Sequence, residues 1–146
     1  MRLQTSPNLW SCLPTAFAMA IGCPVEHLIE SIGHDGSEIT WPNLDEPMCR
    51  RGFHIQEIIA VLTGLAVTPI ERSPRIAPNL TATPVTIDNE YLFQSVAHMT
   101  RGVLTGRTPK CGHAVAYDHG AVCDPRGIIN PHDFTPNCAW IIRNCK

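Results

Sequence analysis

Residues 8–23 read NLWSCLPTAFAMAIGC, and this stretch decides the fold. After Cys12 the segment has almost no polar side chain. Pro14 falls where a helix tolerates proline, in its first turn. The sequence therefore predicts a helix over residues 12–21 that is apolar on nearly all sides, lies at the centre of the domain, and ends at Gly22.

The remaining elements are predicted from hydrophobic periodicity and from glycine and proline breaks. Apolar residues spaced by three and four predict helices over residues 24–32, 54–62 and 89–99. Because the helices come first and neighbouring short strands come last, the order favours an α+β domain with an antiparallel sheet over alternating βαβ units. Loops are expected over residues 34–52 and 73–85. The predicted strands cover residues 65–71, 102–106, 113–117, 121–124 and 139–143.

Size and charge exclude several classes of protein. The chain has 146 residues, which fits one domain over residues 1–146, and 44% of them are hydrophobic, which argues against disorder. The chain has a formal net charge of -2, so it does not have the excess of basic residues that is typical of a nucleic-acid-binding protein. No apolar run reaches the roughly 20 residues that span a bilayer. We therefore expect neither a nucleic acid nor a membrane as partner.

The cysteines indicate a cytoplasmic protein. There are 7 of them, an odd number at irregular spacings with no C-x-x-C pair, which is typical of reduced thiols. A short signal peptide ending at Cys23 is the alternative, but Pro14 interrupts the apolar run and Arg2 is the only basic residue before it. Structural zinc sites usually bring paired ligands, so we expect no metal and no other cofactor. A zinc protein remains the rival hypothesis.

Cys12 has the local setting of a nucleophile. A helix N-terminus carries unsatisfied N–H groups and a partial positive charge, which favour ionisation of a thiol placed there. The thiolate is the reactive form of cysteine. The plain interpretation is that a cysteine beside an apolar helix is a small buried hydrophobe.

A hairpin near the other end of the chain supplies partners for such a thiol. Residues 111–127 read CGHAVAYDHGAVCDPRG. A two-residue turn at His119 and Gly120 places Asp124 on the same face as His113, at a diagonal position about 7–8 Å away. We then expect Asp124 to accept a hydrogen bond from Nδ1–H of His113. A three-residue turn would instead point the carboxylate to the opposite face.

Cys12, His113 and Asp124 together provide a nucleophile, a general base and an orienting carboxylate. Taken alone, His113 could be a half-buried structural histidine and Asp124 a turn residue. Cys49 and His54 form a rival thiol–imidazole pair, but nothing supplies their third member. We therefore predict a Cys–His–Asp triad.

The segments SCLPTAFAMAIG and GHAVAYDHGAVCDPRG resemble those of papain-like cysteine peptidases, above all the bacteriocin-processing type of bacterial peptidase. That type has a Cys-x-Pro helix start and a Gly-His-Ala-Val strand leading to Asp-Pro. The resemblance implies a single papain-like domain, with a central N-terminal helix packed on a small antiparallel sheet and a protein or peptide substrate. It covers both ends of the chain and hardly the middle. Small bacteriophage proteins also look similar, including at residues 33–38.

One departure from the family concerns the donor to the oxyanion. These peptidases usually carry a glutamine about six residues before the cysteine, and position 6 here is Ser6. Gln4 or Asn8 could serve instead, and we favour Gln4; the alternative is that neither contributes. The backbone N–H of Cys12 would be a second donor.

The segment GHDGSEI, residues 33–39, has two interpretations. Asp35 and the glycine after it are typical turn residues. The functional alternative places His34 and Asp35 on the rim of a cleft, where together with Asn8 they would contact the substrate.

The sequence therefore predicts a cytoplasmic thiol protease, in a bacterium or in the host cell if phage-encoded. It would cleave a peptide or isopeptide amide by acyl transfer. An acyltransferase with the same triad is one alternative. A papain-like scaffold without catalysis, for example a phage accessory or inhibitor protein that binds a host factor, is another. Neither the substrate nor the oligomeric state follows from the sequence.

Overall fold

The computed structural model describes residues 1–40, 50–72, 90–127 and 133–145. Within these residues the fold is mixed α+β, as predicted. Its helices are α1 (Cys12–Ile21), α2 (Val25–Ile32), α3 (Ile55–Val61) and α4 (Glu90–Met99). Its strands are β1 (Leu65–Glu71), β2 (Arg101–Arg107), β3 (Gly112–Asp118), β4 (Ala121–Cys123) and β5 (Thr135–Asn144). The predicted loop over residues 73–85 and Cys49 lie outside the described residues.

Helix α1 is the centre of the molecule, as its composition predicts. Ala16, Phe17 and Ala18 are completely buried. The helix packs on β2, β3 and α2. It ends at Gly22, whose left-handed backbone lets its N–H bond the carbonyl of Ala18. None of the four helices in the described parts of the chain could cross a membrane.

The strands form one antiparallel sheet in the order β1-β5-β2-β3-β4. On the face toward α1, the core includes Val103, Ala114 and Ala116. On the other face, Val115 belongs to a second cluster with Phe93 of α4. Helices therefore cover both faces of the sheet, and α1 lies directly on β3, the strand that carries His113.

The β3–β4 hairpin has the predicted register. Ala116 pairs with Cys123, and the turn is the two-residue loop His119 and Gly120. Both turn residues have positive φ, 49° and 87°, as a type I′ turn requires. The three-residue alternative is therefore wrong. Strand β4 ends just before Asp124.

Strand β5 is longer than predicted and corrects one boundary. It begins at Thr135 instead of Ala139, and its first residues pair with Gly106 and Arg107 of β2. The sequence pattern missed this extension because Pro136 is a poor strand former. A register shift beside Gly106 accommodates it.

The contact between β2 and β5 depends on Gly102. A Cβ atom at this position would lie 1.9 Å from the carbonyl oxygen of Trp140. We expect Gly102→Ala to lower the free energy of unfolding by about 1–3 kcal/mol, because the strands must separate to admit the methyl group. Urea unfolding followed by circular dichroism measures this.

Gly112→Ala is the matched control, since a Cβ there meets nothing within 4 Å. It should change stability by less than about 0.5 kcal/mol. Equal stabilities for the two variants would contradict the close packing of β2 on β5.

Candidate active site

A cleft of about 720 Å³ opens where α1 begins. Cys12 and Leu13 contribute to its wall from the helix, and His113 and Ala114 contribute from the start of β3. Residues 50–53 form another part of the wall. The packing of α1 on the sheet thus brings the thiol and the imidazole into one cavity.

Hydrogen bonds fix the chain just before Cys12. Ser11 Oγ–H donates to the carbonyl of Asn8, and Asn8 N–H donates to Ser11 Oγ, each at 3.2 Å. Thr15 Oγ1–H donates to the carbonyl of Ser11 at 2.7 Å. Ser11 and Thr15 are completely buried. Cys12 therefore starts its helix from a rigid turn.

His113 and Asp124 are joined in the interior. Nε2 of His113 lies 3.1 Å from Oδ1 of Asp124, and the two side chains are only 1% and 6% exposed. The same oxygen accepts the backbone N–H of Arg126 at 2.7 Å. The ring of Phe134 packs edge-on against the imidazole, with centroids 5.9 Å apart.

The prediction that Asp124 accepts from Nδ1 of His113 is wrong; the nitrogen is Nε2. Asp124 lies beyond the last paired residue of β4, where the turn that includes Arg126 N–H holds its carboxylate. From there it meets Nε2, the nitrogen farther from the histidine backbone.

Nδ1 of His113 is buried and has no hydrogen-bond partner. If Nε2–H donates to Asp124, Nδ1 carries the free lone pair that a general base needs. Because Nδ1 is unpartnered, it is not hydrogen-bonded to Cys12 Sγ. The structure thus places Cys12 and His113 in the wall of one cleft, with Asp124 bonded to His113, but Cys12 and His113 are not hydrogen-bonded to each other.

Burial controls the charge of both reacting groups. It raises the pKa of the Cys12 thiol above its ordinary value, although the backbone of Ala114 and the charge of Arg126 act to lower it. It lowers the pKa of the His113 imidazole, against the opposing effect of Asp124. Near neutral pH the resting pair is therefore thiol and neutral imidazole. Desolvation thus opposes the ionisation of the thiol that a helix N-terminus favours.

The assignment of Gln4 as oxyanion donor is also corrected. Its Nε2 donates to the carbonyl of Cys23 at 2.7 Å, and its Oε1 accepts the N–H of Val25 at 2.8 Å. These are backbone groups at the junction of α1 and α2, at the end of α1 opposite Cys12. Both the nitrogen and the oxygen of the side-chain amide are hydrogen-bonded there.

Asn8 holds two loops together instead of facing the cleft. Its Nδ2 donates to the carbonyl of Asp35 at 3.1 Å, and its Oδ1 accepts the N–H of Trp10 at 3.1 Å. It does not belong to the cleft wall, whereas Leu9 and Trp10 do. Its predicted role in substrate binding is therefore replaced by a structural one.

His34 and Asp35 form the turn that the plain interpretation of their segment predicts. Asp35 Oδ1 accepts the N–H of Ser37 at 2.9 Å. His34 stacks on Phe53 with ring centroids 4.8 Å apart, and its Nε2 lies 3.4 Å from a carboxylate oxygen of Glu57. Neither residue lines the cleft; they support Phe53, which does. Their assignment to substrate binding is corrected accordingly.

Arg126 is the site residue that sequence reasoning missed. Its guanidinium donates to the carbonyl of Leu9 and, at 3.8 Å, to Sγ of Cys111. It thereby connects the loop before α1 to the start of β3. An arginine after an Asp-Pro turn gives no sequence signal of this, because both of its partners belong to other segments of the chain.

Unsatisfied polar atoms concentrate at the site. Among the described residues, Trp10 Nε1, His113 Nδ1 and Asp124 Oδ2 are buried without a hydrogen-bond partner, as is His34 Nε2. Buried polar atoms are nearly always paired, so such a concentration needs an explanation. Trp10 lines the cleft and lies two residues before Cys12. Its indole N–H is a donor that has no acceptor among the described residues.

The described parts of the chain contain no group of three or more His, Cys, Asp or Glu residues placed to hold a metal ion. The six cysteines in these parts are free. No protein-family model, curated protein or solved structure matches the chain. Any assignment of function therefore depends on the geometry of the site.

The pKa of His113 provides a test of this geometry. An NMR titration should show its Cε1–H shifting with a midpoint below about 6.5, the ordinary value for histidine. Asp124→Asn should lower the midpoint further, because the negative charge of Asp124 is what raises it. A midpoint that rises in this variant would contradict the contact.

The lowered pKa of His113 also predicts how the stability of the fold depends on pH. Below about pH 6.5 the unfolded chain takes up the proton more readily than the folded one, so His113 makes stability fall as pH falls. His113→Gln should reduce this part of the pH dependence.

Proposed function

We propose that the chain is a papain-like thiol hydrolase that cleaves a peptide or isopeptide amide bond through Cys12, His113 and Asp124. The observation that carries this proposal is the buried imidazole of His113. One nitrogen is bonded to Asp124 and the other is unpaired, in a cleft that Cys12 also lines. Buried polar atoms are usually hydrogen-bonded, so an unpaired nitrogen beside the cleft is free to accept a proton.

The charge state of the pair suggests how the reaction begins. Cys12 rests as a thiol and His113 as a neutral imidazole, so His113 Nδ1 takes the proton as sulfur attacks the carbonyl carbon. The two side chains must first approach, since catalytic hydrogen bonds often tighten only when substrate binds. Asp124 stabilises the imidazolium that forms, and the positive charge of Arg126 favours the developing thiolate.

The remaining steps follow from the balance of atoms. The new S–C bond gives a tetrahedral oxyanion, which collapses with loss of the amine. His113 returns its proton to that amine, leaving a thioester on Cys12. Water, deprotonated by His113, then attacks the thioester and releases the acid and the thiol. If an amine replaces water in this step, the same residues make an acyltransferase.

Donors for the oxyanion are available without Gln4. The backbone N–H of Cys12 is in the first turn of α1, where helical N–H groups have no intrahelical acceptor. The indole N–H of Trp10 is the second candidate, because it lacks a partner on a residue that lines the cleft. Two such donors form the usual oxyanion site of acyl transfer.

A second candidate function is a binding protein that uses this scaffold without catalysis. It is favoured by the raised pKa of the buried Cys12 thiol and by the missing Cys–His hydrogen bond. A thiol that stays protonated and apart from its base would not attack an amide. The two functions differ in whether Cys12 reacts in a way that depends on His113.

Reaction with a peptidyl vinyl sulfone, which requires an activated thiol, distinguishes them. We expect Cys12 to be labelled, and labelling to slow by about 10²-fold or more in His113→Gln, because the general base is lost. Asp124→Asn should slow it as well. Peptide mass spectrometry measures the rate at each cysteine.

Cys111→Ala is the control, since Cys111 is the other thiol among the described residues that line the cleft. This variant should leave the labelling of Cys12 intact. Preferential labelling of Cys111 or of the exposed Cys145, unaffected by His113→Gln, would favour the binding protein.

A further inference from the structure

The charge of the cleft differs from that of the whole chain. The charged residues in its wall, within the described parts of the chain, are all basic: Arg50, Arg51, Lys110 and Arg126. The chain itself has a net charge of -2. These residues come from three segments that are distant in sequence: the segment before α3, the β2–β3 turn and the turn after β4. Folding thus gathers these four basic residues around the cleft.

Arg51 is neutralised within the protein. Its guanidinium forms ion pairs with Glu57 and, at 3.4 Å, with Glu38. Arg50 is different, because its Nη1 donates to the carbonyl of Ser37 at 2.7 Å and its guanidinium stacks over Trp10 at 5.3 Å. Neither contact of Arg50 cancels its charge.

Arg126 and Lys110 also keep their charge. The guanidinium of Arg126 bonds the carbonyl oxygen of Leu9 and the sulfur atom of Cys111, and neither is a carboxylate. Lys110 is exposed, and its one hydrogen bond to a described residue is from its backbone N–H to Thr108 Oγ1 at 3.3 Å. Three cations therefore line the cleft with no described carboxylate paired to them.

We propose that the cleft takes an acidic peptide, whose Asp or Glu side chains bind Arg50, Lys110 and Arg126. This inference rests on the proposed function and names the substrate class of that site. A cleft with one sign of charge and low-dielectric walls concentrates the opposite charge. Guanidinium groups also bind carboxylates with paired hydrogen bonds.

The walls of the cleft favour a peptide over a nucleic acid. Leu9, Leu13 and Phe53 give it apolar surface that accommodates side chains between the carboxylates. A nucleic-acid site would need a basic stripe that follows the phosphate backbone. The cations here converge on a single cavity in an acidic chain.

Binding to Cys12→Ala tests the inference without depending on catalysis. Two fluorescein-labelled peptide pools of equal length are compared by anisotropy, one with Asp and Glu flanking a random centre, the other with Asn and Gln. We expect the acidic pool to bind about tenfold more tightly at low salt. The difference should shrink as NaCl rises from about 20 mM to about 300 mM.

Variants made in the Cys12→Ala background locate the effect. Lys110→Gln and Arg50→Gln should each reduce the preference several-fold, and Lys110→Arg should retain it. Lys110 is exposed, so its substitution does not disturb folding. Arg143→Gln is the matched control, because Arg143 is exposed on β5 and outside the cleft wall. It removes the same charge and should leave the preference unchanged.

Several results would overturn the inference. One is equal binding of the two pools at every salt concentration. A second is a loss of the acidic preference in Arg143→Gln as large as in Lys110→Gln. A third is displacement of the acidic pool by a single-stranded oligonucleotide that binds more tightly. If the wild type also cleaves both pools at equal rates, the hydrolase stands and the acidic substrate does not. If the wild type is inert while Cys12→Ala retains the preference, the acidic ligand stands and the catalysis does not.

Discussion

The close packing of α1 on the sheet is the contact on which the rest of this structure depends. Ala16, Phe17 and Ala18 have no exposed surface, and the β3 residues on the same side are the small Ala114 and Ala116. Small side chains on both elements let the helix lie close to the strand. Burying Phe17 alone is worth about 3–5 kcal/mol, judged by the usual cost of truncating such a residue. This contact also brings the start of the helix to the start of the strand.

The chemistry of the candidate site follows from that burial. A helix N-terminus favours a thiolate, but the same packing that places Cys12 there removes it from water and raises its pKa. His113 is desolvated in the same way and rests neutral in spite of Asp124. The site thus has a neutral thiol beside a neutral imidazole that can act as a general base, and not a preformed thiolate–imidazolium ion pair. Arg126 adds a positive charge that disfavours imidazolium and favours thiolate.

The hairpin and the helices could be predicted from the sequence because their determinants are local. The turn at His119 and Gly120 sets the pairing of β3 with β4, since a turn with two positive-φ residues admits one register. The apolar pattern and Gly22 set the length of α1. Where the local signal was misleading, as at Pro136 in β5, the prediction failed.

The side-chain partners could not be predicted, because they depend on packing between segments far apart in the chain. Gln4 binds the backbone near Cys23 and not the oxyanion site, since a folded junction there offers an unpaired donor and acceptor. The sequence by itself determined the helices and the register of the β3–β4 hairpin, and it indicated Cys12, His113 and Asp124 as the candidate site. Only the tertiary structure decided which nitrogen of the histidine meets the carboxylate, how burial shifts the two pKa values, and which cations converge on the cleft. Periodicity and turn chemistry act over a few residues, whereas desolvation and electrostatic fields are set by the whole packed chain.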